Sequence, residues 1–91
     1  MIQIDKSRKL SEFQSWEEWS SKPDHFDWEF KKEEHCYIIE GEATIETPSQ
    51  TISIEPGDYV VFPKDLKCHW TVHQFFRKIN ESSGLSKLFR T

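Results

Sequence analysis

Residues 34–72 read EHCYIIEGEATIETPSQTISIEPGDYVVFPKDLKCHWTV, and this stretch decides the fold. Apolar and polar residues alternate through Ala43-Thr44-Ile45-Glu46 and again through Ile52-Ser53-Ile54-Glu55. A period of two belongs to strands that bury one face, because successive side chains leave the backbone on opposite sides. Glu40-Gly41-Glu42, Pro48-Ser49-Gln50 and Pro56-Gly57-Asp58 interrupt the alternation with turn-forming residues. Short strands separated by turns at spacings of about 8–12 residues predict an antiparallel sandwich or barrel.

The flanks extend the pattern. Ile2 and Ile4 around Gln3 predict a short edge strand, and Ser7 to Phe13 predicts a helical turn with Leu10 and Phe13 on one side. Trp16 and Trp19 are read as packing residues. After the Lys22-Pro23-Asp24 turn, His25 to Lys32 predicts a strand in which Phe26, Trp28 and Phe30 alternate with Asp27, Glu29 and Lys31. On the strand from Glu34, parity puts Glu34, Cys36 and Ile38 on one face and His35, Tyr37 and Ile39 on the other. Tyr59 to Phe62 and Lys67 to Val72 follow as strands, the latter turning Cys68, Trp70 and Val72 one way. Gln74 to Ile79 pairs back into the sheet.

The chain has 91 residues, which predicts one domain with a modest core. Its seven Phe, four Trp and two Tyr supply much of the buried area. The net charge is −4, with the acids crowded into the first half and no basic patch, so nucleic acid is not an expected partner. No apolar run approaches a membrane span and the first residues do not resemble a secretory leader, so a cytoplasmic protein is expected. In that compartment two cysteines are free thiols rather than a disulfide framework.

The quoted stretch resembles the two halves of a cupin, a small jelly-roll barrel (double-stranded β-helix). Phe26-Asp27-Trp28, Glu34, Cys36-Tyr37, Glu40-Gly41, Pro56-Gly57-Asp58, Phe62-Pro63, Cys68-x-Trp70-x-Val72 and Arg77-Lys78 resemble in particular the small cupins related to the ureidoglycine aminohydrolase cupin domain. The resemblance covers residues 13–79 and leaves 80–91 as a C-terminal extension. It implies an all-β single domain with a ligand or a metal in the barrel mouth, and it extends to an activity far less than to a fold.

In metal-binding cupins two His and a Glu from the first motif and a His from the second hold the ion. Carried over by spacing from Gly41, the Glu falls on Glu34. The two His positions fall on Trp28 and Phe30, or on Asp27 and Glu29 with a gap one residue longer. In the second motif Gly57 and Pro63 fit, the next Gly position is Asp65, and the His position is Cys68. Glu34 and Cys68 are thus the metal ligands if any metal binds, and two mixed donors make a poor divalent site. No cofactor is expected.

The resemblance and the parity together outline another pocket, formed by Trp28, Phe30, Glu34, Cys36, Cys68 and Trp70. A carboxylate among aromatic rings has a raised pKa, which suits acid–base work, whereas a thiolate next to it is disfavoured. A carboxylate on an apolar face is costly without a partner, and Arg77 or Lys78 is the available cation.

Three functions fit these residues. One is a metal-free aromatic pocket that takes a small amine- or amide-bearing metabolite. Another is an enzyme acting on a ureido or amide compound, with Glu34 as acid–base and Cys68 or a metal assisting. The third is a structural or regulatory homodimer with a filled core.

Overall fold

The computed structural model describes residues 2–9 and 17–80. They form nine strands: β1 Gln3–Asp5, β2 Glu17–Ser21, β3 Asp24–Glu29, β4 Glu34–Glu40, β5 Ala43–Glu46, β6 Thr51–Ile54, β7 Tyr59–Phe62, β8 Lys67–Val72 and β9 Phe76–Asn80. One sheet has the order β1-β7-β4-β9-β2 and the other β3-β8-β5-β6, with every pairing antiparallel. This is the expected small jelly roll. The expected helical turn from Ser7 finds no helix at residues 7–9; Leu10, Phe13 and Trp16, like residues 81–91, lie outside the described residues.

Alternation does what the sequence pattern requires. Ala43 and Ile45, Val60 and Phe62, and Cys68, Trp70 and Val72 are buried, while the residues between them are partly or fully open to solvent. Cys36, Ile38, Ile54 and Phe76 complete the shared core between the sheets. Burial of these side chains is the main favourable term in the fold.

Turns fix the registers. Gly57 has φ 97°, and the carboxylate of Asp58, itself buried, accepts the Glu55 N–H at 3.0 Å and the Lys6 ammonium at 2.6 Å. Asp65 has φ 68° at the position where the cupin motif carries glycine, and its N–H donates to the Phe30 carbonyl at 2.7 Å. Aspartate tolerates this left-handed backbone better than most residues. Together with the Phe30 N–H to the Leu66 carbonyl, at 2.9 Å, this bond holds the chain leaving β3 against the turn before β8. The strand predicted from His25 therefore ends at Glu29, and Phe30 is buried just beyond it.

A bulge between Ile38 and Glu40 shifts the β4–β9 register. Before it, Ile38 faces Lys78; after it, Glu40 faces Arg77. One extra residue reverses parity. Glu40 thereby joins Arg77 and Glu18 in an outer network of ion pairs at 2.9–3.2 Å, while Lys78 stays on the inner face.

β2 and β3 follow one another in the chain but lie in different sheets, each at an edge. The Lys22-Pro23 link joins them at one end. No ladder closes the gap between them, so the interior opens there.

Candidate functional site

The opening leads into a cavity of about 290 Å³. Its walls are built by strand parity. On β2, Trp19 stands opposite Lys78 of β9 and Glu17 stands opposite Asn80, so all four point to the inner face. On the other sheet Phe26 stands opposite Trp70. Trp28 continues that row to the rim, Phe30 lies buried beneath it, and Glu34 enters from the start of β4.

The rings are ordered by contact. Phe26 stacks on Trp70 at 6.1 Å and 10°, and Trp19 meets Trp70 edge-on at 6.2 Å and 65°. Phe30 stacks on Phe62 at 4.5 Å, which anchors the floor in the core. Trp28 at the rim is 52% exposed and Trp19 37%, unusual values for such large apolar side chains. The Trp70 indole N–H is buried with no oxygen or nitrogen acceptor, and its dipole acts on the Cys68 sulfur.

Lys78 is the polar centre. It is 7% exposed, and its ammonium donates to Glu34 Oε2 at 3.0 Å and to Asn80 Oδ1 at 3.3 Å. The same ammonium lies 5.3 Å from the Trp19 ring centroid. A buried charge needs such partners, and a ring face supplies part of what water would. Glu34 is therefore no lone carboxylate among rings: it is ion-paired, with its side chain 25% exposed.

Of the residues singled out in the sequence, Trp28, Phe30, Glu34 and Trp70 line this cavity. The two cysteines do not line this cavity. Cys36 is wholly buried further along β4. Cys68 stands opposite Trp28 in the ladder and borders a shallower outer depression with Asp27, Glu46 and His69. Glu17, Trp19, Phe26, Lys78 and Asn80 are wall residues that sequence reasoning did not assign to the pocket; the alternation of Phe26 with Trp28 and Phe30 and the Arg77-Lys78 pair were the available signals.

Neither thiol is arranged as a nucleophile. Burial pushes Cys36 up to about 12, with Lys78 opposing and Glu34 adding to the shift. Burial also raises Cys68, the Trp70 indole opposes it and Asp27 adds to it. His35 is bonded to Glu33 and Tyr59, His69 to Asp27 and His73 to Thr44; none is bonded to a cysteine. Both thiols are expected to resist a thiol–disulfide exchange reagent in the native protein and to react on unfolding. The ordinary thiol value is 9.0, so the unfolded chain releases its Cys36 proton well before the folded chain, whose value is about 12. The stability this group contributes is present below 9.0 and lost as pH rises toward 12. Urea midpoints on either side of pH 9.0 check the sign, since Cys36→Ala should flatten the alkaline loss.

The donor set does not fit a divalent ion. Trp28 and Phe30 occupy the His positions, Glu34 is committed to Lys78, and Cys68 lies outside the cavity. Asp27 is paired with His69 and Glu29 with Lys31, so the set with the longer gap does not converge either. Among the described residues no group of three or more His, Cys, Asp or Glu side chains is placed to hold a metal. No helix among them is long and apolar enough to cross a membrane.

The EutQ-like cupin domain matches residues 8–79. The chain belongs to that family. A DUF861 family protein from Thermotoga maritima is 32% identical with a TM-score of 0.82, over 89% of this chain and 98% of that one. The Clostridium difficile EutQ protein is 23% identical with a TM-score of 0.65, over 87% of this chain and 64% of that one. A putative ethanolamine utilization protein Q from Salmonella typhimurium is 19% identical with a TM-score of 0.64, over 69% of this chain and 51% of that one. The last two share the fold alone. A search of curated proteins returns no match. This cupin thus keeps the barrel and the glycines at 41 and 57, with Asp65 at a third glycine position, while its mouth holds rings and an ion pair.

Proposed function

We propose that this cupin binds a small polar metabolite in its aromatic cavity without a metal. The observation that carries the reading is the cavity of about 290 Å³ walled by Trp19, Phe26, Trp28 and Trp70 and ended by the Glu34–Lys78–Asn80 group. Ligand sites are concave, mostly apolar and oriented by a few polar groups. The open space supports this over a barrel that is only a filled core. The likeness to ureidoglycine aminohydrolase cupins points to a nitrogen-bearing ligand, an amine or an amide.

Tryptophan fluorescence in chelator-treated buffer tests it. A panel of small amines and amides should contain a ligand that shifts the emission saturably, and Trp28→Ala should weaken that ligand at least tenfold. Trp28 is half exposed, so its removal leaves the core intact. A response that appears only on adding a divalent metal would reject the reading.

One observation favours a second reading. Glu34 and Lys78 form an acid–base pair against the cavity, an arrangement that can transfer protons on a bound ureido or amide group. Product formation that Glu34→Gln abolishes, with binding retained, would decide for the enzyme. Cys68 has no part in it, since it is not on the cavity wall.

A further inference from the structure

We infer that the occupant of this cavity is a small organic cation, an ammonium held by the ring faces and met by Glu17 at the mouth. The inference rests on the binding reading above and narrows amine or amide to the charged amine.

Charge on the wall carries it. The ionisable lining residues are Glu17, Glu18, Glu34 and Lys78. The Glu18 carboxylate is turned to Arg77, which it meets at 2.9 Å and 3.2 Å on the outer face. Glu34 and Lys78 neutralise one another at 3.0 Å. Glu17 is left, on the inner face opposite Asn80, with no ion pair among the described residues. The wall therefore has an uncompensated negative charge at its mouth. Its cation, Lys78, is already held by a carboxylate and an amide oxygen. An anionic ligand would meet repulsion and no free donor of positive charge.

The rings point the same way. Trp19, Phe26, Trp28 and Trp70 surround the space, and two of them are far more exposed than packing alone requires. Ring faces attract cations, tryptophan most strongly. The wall already does this once, because the Lys78 ammonium lies 5.3 Å from the Trp19 centroid. A second ammonium entering from solvent would find rings on the other sheet and Glu17 at the edge. A cavity of about 290 Å³ admits a molecule the size of an amino alcohol, not a nucleotide.

Calorimetry on the full chain tests this with choline, the neutral tert-butyl analogue of choline, acetamide and acetate. Choline should bind at least tenfold more tightly than its neutral analogue. Glu17→Gln should weaken choline at least threefold, and Glu42→Gln, an equal charge loss away from the cavity, should not. Glu17 is an exposed residue on an edge strand, so the variant keeps the fold. Equal binding of choline and its neutral analogue, or preference for acetamide or acetate, overturns the cation and leaves the binding reading standing. Absence of binding by all four probes overturns the cation; absence of a response across the whole amine and amide panel overturns the binding reading with it.

Discussion

Gly41→Ala is expected to cost about 3 kcal/mol or more, a large share of the roughly 5–15 kcal/mol that holds a domain together. Two effects add. Gly41 has φ +86°, and a side chain in the left-handed region costs about 1–2 kcal/mol. A Cβ there would also collide with the Phe75 carbonyl oxygen and lie 2.9 Å from the Phe76 Cα. Both are backbone atoms where the chain enters β9, and Phe76 is wholly buried, so they have little room to retreat. Pushing β9 away would also move Lys78, two residues on. Gly57 is the control: its φ is +97° and nothing lies within 4 Å of a Cβ there. Gly57→Ala should therefore cost only the backbone strain, about 1–2 kcal/mol. Urea unfolding of the two variants separates the effects. Equal losses would mean that the close approach of β9 contributes nothing.

Glu34→Leu is the second large effect, at about 3 kcal/mol, because it strands a buried ammonium. Lys78 would keep Asn80 and the Trp19 face but lose its one carboxylate. Lys78→Met should cost less, about 1–2 kcal/mol, since a Glu34 side chain that is 25% exposed can turn to water and the methionine packs against rings. The double variant should be more stable than Glu34→Leu alone, because replacing a whole buried pair by apolar groups avoids the stranded charge. Urea midpoints of the four proteins give the coupling. Simple addition of the two single losses would show that the pair is not linked. If the pair also orients a ligand, the double variant binds more weakly in spite of its stability.

Much of this was legible in one dimension. β5, β6 and β8 announce themselves by alternation, because the pleat gives each residue a side independently of distant chain, whereas β4 and β7 carry apolar residues on both faces and are marked by the turns that bound them. The turns announce themselves too. Gly41, Gly57 and Asp65 all have left-handed backbone, and each stands at a glycine position of the cupin motifs. Steric limits on φ act within one residue, so residue type carries that information. β2 was not legible. Its sequence, Glu17-Glu18-Trp19-Ser20-Ser21, alternates weakly and stays largely open to solvent, so only pairing with β9 makes it a strand.

The site divides along the same line. Parity within each strand, together with the cupin motif spacing that relates the strands, brought Trp28, Phe30, Glu34 and Trp70 to one pocket, although Phe30 lies just beyond the end of β3. Parity also turned Cys36 and Cys68 inward, yet it could not say how far along the barrel each would lie. That depends on register: Cys68 faces Trp28 one pair before the end of the β3–β8 ladder and falls outside the cavity. Lys78 shows the difference most clearly. In the sequence it is one of two adjacent cations, Arg77 and Lys78. Neighbours on β9 point to opposite faces; the register with β4 and β2 puts Lys78 on the inner one against Glu34, and the β4 bulge turns Glu40 outward to meet Arg77 beside Glu18. Side-chain direction along a strand follows from the residue's own backbone, and the sequence determined it. Which strands meet, and in which register, depends on burial and pairing between distant segments, and only the tertiary structure decided that.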